Sequence, residues 1–169
     1  MNTYEAILKR RSIRKYKEGE ISPEVIEQLL NAAMAAPSAR NMQPWEFYVV
    51  TNDGVKLNIR KIDKNLDFPS SVMIVVCGNN ERSITKNDND FWIQDCSAAV
   101  ENILLQATEL GLGTLWCGLY PVLERADKVR EYIGAPIHHI PMALIHVGFA
   151  DEEKEARSQY NTDFIHYVK

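Results

Sequence analysis

Six basic side chains cluster near the N-terminus, within residues 9–17, and indicate the binding of an anion. They are six of the 19 lysines and arginines of the chain: Lys9, Arg10, Arg11, Arg14, Lys15 and Lys17. Arginine can hold phosphate oxygens with two parallel hydrogen bonds, and the hydroxyl of Ser12 adds a donor in their midst. The segment therefore indicates either a small-molecule phosphate site or a solvated basic surface that binds nucleic acid.

A second segment with polar chemistry, residues 37–45, joins a predicted helix to a predicted strand. It places Ser38, Asn41 and Gln43 between two prolines, Pro37 and Pro44. Prolines keep the neighbouring backbone groups accessible, because a chain containing them does not continue a helix or a central strand. The segment therefore suits the polar edge and apolar face of a flat heteroaromatic ring, and an ordinary helix–strand loop is the alternative.

The cysteines and histidines do not form a metal-binding pattern. The cysteines are Cys77, Cys96 and Cys117. An odd number of cysteines without a CxxC pair argues against a disulfide framework and against a zinc site. His138 and His139 are adjacent, so that in an extended segment they point in opposite directions. His146 lies in an apolar strand, where we expect a core histidine with satisfied hydrogen bonds, and we predict no metal.

The composition is that of a globular domain with an acidic balance. The chain has 169 residues, 46% of them hydrophobic and 25% charged, and its formal net charge is −4. We expect one domain over residues 1–169. No stretch approaches the ~20 apolar residues of a membrane span. The first residues lack the pattern of a secretory signal, and we therefore expect a cytoplasmic location without a membrane partner.

Four segments carry helical patterns with start or stop signals. They cover residues 3–9, 23–37, 91–110 and 124–133. Thr3 is expected to cap the first helix. Ser22 and Pro23 are a cap and a first helical residue. Gly111 and Gly134 end the two later helices at positions that favour a left-handed backbone.

Strand patterns cover three short runs, at residues 47–50, 72–77 and 142–147. The run at 72–77 is continuously apolar, which is typical of a central strand buried on both faces. We interpret residues 52–54 as a turn and residues 79–90 as an exposed polar loop.

Two features predict a second subunit. The apolar residues of the 91–110 helix extend beyond one face, which suggests that more than one neighbour covers it. The polar tail from residue 151 ends in a strand-like run at 164–168 with no nearby core. Such a tail is expected to pair with a neighbouring subunit.

In their order along the chain, these segments resemble the nitroreductase family of FMN-dependent oxidoreductases. The resemblance rests on residues 10–14, 37–45 and 110–118, and on the strand at 145–149 followed by Arg157. It implies an α+β protein with a three-layer α/β/α fold. It also implies a homodimer with two FMN molecules at the subunit interface and a C-terminal tail exchanged between subunits.

The resemblance assigns the phosphate, ribityl chain and N1/O2 edge of FMN to the basic segment. Arg10, Ser12 and Arg14 match the first FMN-binding segment of the family, and Arg11 lies within it. Arg157 matches a C-terminal basic residue that completes the phosphate site. A cation such as Arg14 near N1 and O2 stabilises the negative charge that two-electron reduction leaves there.

The resemblance assigns the ring of FMN to two further segments. The loop that covers the flavin of the partner subunit is matched by Pro37, Ser38, Ala39 and Asn41. The turn whose backbone N–H bonds the flavin N5 is matched by Trp116, Cys117 and Gly118. Within residues 61–68, Asn65 is the candidate contact of the flavin pyrimidine.

The implied function is transfer of a hydride from NADH or NADPH, through flavin N5, to a nitroaromatic, a quinone or a similar small acceptor by a ping-pong mechanism. No catalytic side chain is expected, because the flavin carries the chemistry. A reactive thiol at Cys117 is the alternative use of that residue. The chain is shorter than many family members, which leaves little room for a substrate lid and favours a shallow, permissive pocket.

Two other functions compete with this interpretation. A flavin-binding or storage protein would bind FMN without efficient turnover. A nucleic-acid-binding module built on residues 9–17 would be colourless and would bind DNA or RNA in a salt-sensitive way. We expect no nucleic-acid partner. The visible spectrum of the protein separates the two flavin-binding functions, enzyme and storage protein, from the nucleic-acid module.

Overall fold

The computed structural model describes residues 1–83 and 90–169, and within them it contains five helices and five strands. The helices are α1 (Thr3–Lys9), α2 (Pro23–Met34), α3 (Asp53–Arg60), α4 (Phe91–Glu109) and α5 (Leu123–Ile133). The strands are β1 (Tyr16–Lys17), β2 (Trp45–Val50), β3 (Val72–Asn79), β4 (Gly113–Gly118) and β5 (His139–Ala150). No described helix is long and apolar enough to cross a membrane.

The strands form one antiparallel sheet that is organised around β5. On one side β5 pairs with β3, with Ile74 opposite Ile145, and β3 in turn pairs with β2. On its other side β5 pairs with β4, with Trp116 opposite the same Ile145. The two-residue strand β1 pairs with the last two residues of β5. The middle of the sheet therefore consists of β3 and β5, the two longest strands.

Helices cover both faces of the sheet, because the side chains of the central strands alternate between two apolar clusters. Ile74 and Val76 join the cluster beneath α2 and α4, whereas Met73 and Val75 join the one beneath α3 and α5. All eight residues of β3 are buried. The three-layer α/β/α arrangement and the central, doubly buried strand are thus confirmed.

The predicted helix signals agree closely with the observed helix ends. The side chain of Ser22 accepts a hydrogen bond from the N–H of Val25, and Pro23 is the first residue of α2. Gly111 and Gly134 follow α4 and α5 with φ angles of 74° and 66°. The cap of α1 is Asn2 rather than Thr3, because Asn2 and Glu5 form a reciprocal capping box.

Two elements differ from the sequence-based expectation. Residues 52–54 begin α3 instead of forming a turn, and the side chain of Asn52 caps it by accepting from the N–H of Val55 at 3.0 Å. Trp116, Cys117 and Gly118 are the last residues of strand β4 instead of a turn. Asn–Asp–Gly serves both as a turn and as a helix start, so the local signal does not separate the two.

The structure describes only part of the polar loop expected at residues 79–90. Asn79 is the last residue of β3 and is buried. Residues 80–83 form turns, and residues 84–89 lie outside the described part of the chain.

The tail, residues 151–169, is described throughout and contains a 3-10 turn at Thr162–Phe164 and no strand. Its exposed apolar side chains include Tyr160, Phe164, Tyr167 and Val168. Pairing of the tail with a neighbouring subunit stays a prediction.

Candidate functional site

A cavity of about 250 Å³ lies at the end of β4 and collects residues from four separate segments of the chain. Its lining consists of Arg14, Asn65, Phe68, Leu115, Trp116, Cys117, Gly118 and Arg125. The structure thus brings together Arg14, the 116–118 segment and Asn65, which the sequence had placed around the ring of a flavin. Asn65, the candidate within residues 61–68, lies in the cavity lining.

Arg14 reaches this cavity because the segment after α1 runs beside β4. Ser12 forms a parallel bridge with Thr114, and the N–H of Ile13 donates to the carbonyl oxygen of Thr114 at 2.8 Å. The buried Ile13 side chain needs a glycine opposite, since a Cβ on Gly113 would lie 2.9 Å from it. Close approach at Gly113 therefore fixes the start of the basic segment against the sheet.

The other predicted phosphate ligands lie on two adjacent segments, outside the cavity lining. Lys154 donates to the carbonyl oxygen of Ser12, and Arg11 donates to that of Glu155. The backbone N–H of Arg157 donates to the carbonyl oxygen of Leu8 at 3.2 Å. Residues 154–157 thus run next to residues 8–12, although they are more than 140 positions apart in sequence.

Not every cation of the basic segment is equally available to an anion. Arg10 lies 3.7 Å from the carboxylate of Glu101 on α4. Burial raises the pKa of Glu101, and Arg10 opposes that rise. The side chain of Arg157 is exposed.

Cys117 is a protonated thiol at neutral pH. Burial raises its pKa to about 11, and the guanidinium groups of Arg14 and Arg125 oppose this rise only in part. The thiol donates to the carbonyl oxygen of Asn65 at 3.2 Å. A thiolate nucleophile is therefore not what this geometry provides, and the residue instead links two walls of the cavity.

The loop between α2 and β2 lies elsewhere in the same chain. The N–H of Ala39 donates to the carboxylate of the buried Asp95 on α4 at 2.9 Å, and the N–H of Gln43 donates to the hydroxyl of Ser38 at 3.0 Å. Arg40, Asn41 and Gln43 have positive φ angles of 52°, 55° and 49°. Such backbone is uncommon outside glycine, which indicates a loop held in shape by its surroundings.

The members of that loop named by the sequence are Pro37, Ser38, Ala39 and Asn41, and the cavity lining includes none of them among the described residues. Pro37 and Asn41 are exposed, whereas Ser38 and Ala39 are half-buried. A single chain therefore does not bring this loop and the cavity together.

Sequence reasoning missed two residues of the site, Arg125 and Asp63. One guanidinium nitrogen of Arg125 donates to the carbonyl oxygen of Gly118 at 2.8 Å, and another donates to the carboxylate of Asp63. Both residues belong to segments without a binding motif, the first turn of α5 and the cap of a 3-10 turn at Lys64–Leu66. Only their spatial convergence marks them, and the sequence carries no local signal of it.

The histidines stand apart from the cavity lining. His146 is fully buried, and its Nδ1 lies 2.8 Å from the hydroxyl of Ser70. Its Nε2 has no hydrogen-bond partner among the described residues. His146 is thus a core histidine, as expected, but only one of its ring nitrogens is satisfied.

A wider groove of about 1250 Å³ lies between β1 and the starts of α2, α3 and β3. Lys17 and Lys56 are among its lining residues, together with the acidic Glu18, Glu20 and Asp53. Its lining contains none of the predicted site residues. The smaller cavity at β4 is therefore the candidate site.

The comparisons with known proteins agree with this arrangement. The model of the Nitroreductase family matches residues 7–67 and 58–149. A relative from Archaeoglobus fulgidus, named "Putative NADH dehydrogenase/NAD(P)H nitroreductase", is 42% identical over 171 residues, which cover 96% of this chain and 95% of the relative.

Two solved structures share the fold over nearly the whole chain. One, from Parabacteroides distasonis, is also named "Putative NADH dehydrogenase/NAD(P)H nitroreductase"; it superposes with a TM-score of 0.89 at 36% identity and covers 99% of this chain and 98% of its own. The other, named an FMN-dependent nitroreductase, comes from Clostridium difficile; its TM-score is 0.85 at 32% identity, with 97% and 98% covered. By its sequence and its fold, the chain belongs to the nitroreductase family.

Proposed function

We propose that the protein is an FMN-dependent NAD(P)H oxidoreductase that works as a homodimer. The observation that carries this proposal is the cavity at the end of β4, where Arg14, Asn65 and the 116–118 backbone converge. The FMN dependence named for the Clostridium difficile protein and the NAD(P)H named for the Archaeoglobus relative support it.

The donors present around the cavity fit a flavin. The pyrimidine edge of the ring offers carbonyl oxygens and ring nitrogens, and Arg14 and Asn65 supply a cation and an amide for them. Arg125 also lines the cavity, but its terminal nitrogens are engaged by the carbonyl oxygen of Gly118 and the carboxylate of Asp63. A cavity with charged donors and an apolar wall of Phe68 and Leu115 is the chemistry that an isoalloxazine ring requires.

The remaining contacts are proposed residue by residue. Arg10, Arg11, Ser12 and Arg157 would hold the phosphate, since their segments run side by side. The backbone of Trp116, Cys117 and Gly118 would face the reactive part of the ring. In the dimer, the loop with Pro37, Ser38, Ala39 and Asn41 would come from the other subunit.

FMN, when bound, supplies the redox chemistry by taking a hydride at N5 and passing two electrons to an acceptor. The side chains of the protein would bind FMN and orient its ring. Arg14 supplies a guanidinium cation that would stabilise negative charge at the pyrimidine edge. Cys117 stays protonated and keeps Asn65 in place.

The finer features of the reaction are also part of the proposal. Nitroaromatics, quinones and similar small molecules are the expected acceptors. NAD(P)H and the acceptor would bind in turn, because both must reach the same face of the ring. Parallel lines in double-reciprocal plots at several acceptor concentrations would be the kinetic signature of this ping-pong order.

The exposed apolar side chains and the separation of the α2–β2 loop from the cavity support the dimer. Tyr160, Phe164 and Tyr167 of the tail are largely exposed in the single chain. Burial of such side chains against a second copy stabilises an assembly by about 25 cal/mol per Å² of apolar area. The complete site would then need residues from both subunits.

The test begins with the visible spectrum of the purified protein. We expect flavin absorbance after purification, or FMN uptake on titration at micromolar concentration. Anaerobic addition of NADH or NADPH should bleach the flavin, and menadione or a nitroaromatic should restore it. Slow bleaching with bound FMN would support a storage protein instead, and a colourless protein with salt-sensitive DNA or RNA binding would support a nucleic-acid module.

A further inference from the structure

Arg125 joins two walls of the cavity through its terminal guanidinium nitrogens. Nη1 donates to the carbonyl oxygen of Gly118, the last residue of β4, at 2.8 Å. Nη2 donates to Oδ2 of Asp63, which precedes a 3-10 turn on a different part of the chain. A guanidinium can bridge two acceptors in this way because its donors are fixed in one plane.

Asp63 extends this connection to Asn65. Its other oxygen, Oδ1, accepts from both the backbone N–H and the side-chain amide of Asn65, each at 2.8 Å. The carbonyl oxygen of Asn65 then accepts from the thiol of Cys117, the neighbour of Gly118. The contacts therefore close a ring through Gly118, Arg125, Asp63, Asn65 and Cys117.

This closed set of hydrogen bonds contains an ion pair that is only partly open to water. The side chains of Arg125 and Asp63 are 18% and 26% exposed, so water competes only in part for their hydrogen bonds. The backbone N–H of Asn65 and the guanidinium of Arg125 lower the pKa of Asp63. Asp63 is therefore ionised at neutral pH, and the connection is a pair of opposite charges.

These hydrogen bonds fix the orientation of two groups at the cavity, the side-chain amide of Asn65 and the carbonyl of Gly118. An exposed asparagine amide rotates freely unless a partner fixes it, and one N–H of Asn65 is held by Asp63. With that N–H held, the rest of the amide has one preferred direction. The carbonyl of Gly118 is fixed in the same way by Arg125, at the strand end proposed to face the flavin.

We infer that Arg125 and Asp63 are positioning residues that orient Asn65 and the end of β4 around the isoalloxazine ring. This inference rests on the proposed function, because it names the ligand of the cavity. It extends the site to two residues that act through other groups and do not hold the phosphate.

The experiment compares three variants of the full chain: Arg125→Gln, Asp63→Asn and the control Arg130→Gln. Arg130 is a matched control, because it lies on the same helix and pairs with Asp127 at 2.7 Å with a side chain 21% exposed. For each variant we would measure the dissociation constants of FMN and riboflavin and the midpoint potential of the bound FMN. Asp63→Asn preserves the shape of the side chain and guards against a loss of folding.

A positioning role predicts that Arg125→Gln and Asp63→Asn each weaken FMN and riboflavin alike, by about tenfold or more, whereas Arg130→Gln leaves both unchanged. It also predicts that both variants shift the midpoint potential in the same direction, since both loosen the connection that orients the Asn65 amide. A direct field effect would shift it in opposite directions, because one variant removes a cation and the other an anion.

Opposite shifts of the potential would overturn the inference, as would wild-type flavin affinity in both variants. Weakening of FMN with riboflavin unaffected would also overturn it, because Arg125 would then act at the phosphate. Failure of the unaltered protein to bind either flavin would remove the proposed function and this inference together. Normal FMN binding by the unaltered protein, with unaffected variants, would overturn the inference alone.

Discussion

Arg10 and Arg157 are distant in sequence, but their segments run side by side next to the end of α1. If both hold the phosphate of FMN, their contribution depends on the phosphate being present. Riboflavin has the same ring and no phosphate, so it is the natural comparison ligand.

We predict that Arg10→Ala and Arg157→Ala each weaken FMN binding by roughly 1.5–3 kcal/mol, the range for a lost charge-assisted hydrogen bond, and leave riboflavin nearly unchanged. Fluorescence titration of the apoprotein with both flavins measures this. Arg82→Ala is a suitable control, because Arg82 pairs with Glu46 and is absent from the cavity lining. Equal losses for the two flavins would show that these arginines act elsewhere.

His146 predicts a pH dependence of stability. Burial lowers its pKa from 6.5 to about 4, so the unfolded chain takes up a proton at a higher pH than the folded one. The stability from the neutral, buried histidine is complete above pH 6.5 and is lost as the pH falls toward 4. Its full size is about 3 kcal/mol.

Urea unfolding of the wild type and of His146→Gln between pH 7.5 and 4.5 tests this prediction. The wild type should lose stability steeply over this range, and the variant less steeply, whatever its stability at pH 7.5. His139, whose pKa burial also lowers, remains in the variant and keeps part of the slope. Identical slopes in the two proteins would contradict the prediction.

At the scale of residues, the sequence predicts those functional residues whose role follows from their type and from a local motif. The resemblance to the nitroreductase family placed Arg14 and the 116–118 segment in one site, and the structure brings them to one cavity. Arg125 and Asp63 were missed because their role depends on a contact between residues 62 positions apart. Nothing near either residue in the sequence distinguishes it from an ordinary surface charge.

At the scale of elements, a buried carboxylate links the α2–β2 loop to helix α4. Asp95 is 6% exposed on α4 and accepts from the N–H of Ala39. Three residues of the loop with positive φ lack the freedom of glycine, so the loop needs such contacts to keep its shape.

We predict that Asp95→Ala destabilises the protein by about 1–3 kcal/mol, since it leaves a partly buried N–H without its acceptor. It should also weaken FMN and riboflavin alike, if the loop covers the ring of the partner's flavin. Asp95→Asn keeps an acceptor oxygen and should have a smaller effect. Thermal unfolding and flavin titration measure both changes, and an unaltered flavin affinity in Asp95→Ala would separate the loop from the site.

Elements with a strong local sequence signal were predicted, whereas elements whose signal also fits another structure were not. The apolar run of β3 and the caps of α2, α4 and α5 are local properties, and each was located within a few residues. The strand β4 was missed because both of its end residues, Gly113 and Gly118, are glycines, which weaken a strand pattern. Its pairing with β5 supplies the stability that its own sequence lacks.

At the scale of the whole molecule, the tail consists of two parts with different surroundings. Residues 151–157 contact the basic segment, including the carboxylate of Glu152, which accepts from the N–H of Arg14 at 2.5 Å. Residues 158–169 carry exposed apolar side chains. We therefore propose separable tasks for the two parts of the tail, one at the proposed phosphate site and one at the proposed subunit interface.

Two truncations distinguish these tasks. Ending the chain after Ala150 should weaken both the dimer and FMN binding, because it removes Glu152, Arg157 and the apolar tail. Ending it after Tyr160 keeps the contacts of the basic segment and should weaken the dimer first. Size-exclusion chromatography with light scattering, run beside the flavin spectrum, measures both properties, and a monomer that retains FMN would contradict the two-subunit site.

The overall architecture was predicted through the resemblance of ordered segments rather than from patterning alone. Periodicity located helices and strands, but it did not establish that β5 lies between β3 and β4. The order of strands in a sheet depends on long-range pairing, which local propensity does not encode. The loop and the cavity remain apart in a single chain, so the proposed two-subunit site rests on the resemblance and not on patterning.

The central position of β5 affects how the protein folds during its synthesis on the ribosome. β5 pairs with β1, β3 and β4, and all three precede it in the chain. A nascent chain that has reached only α5 leaves one edge of β3 and the strand β4 waiting for a partner, and open edges are templates for aggregation. Closure of the sheet must follow synthesis of its final strand, and such non-local pairing is slow. Recombinant yield should therefore rise with cooler growth, which slows aggregation, and with added chaperones, which shield the open strand edges.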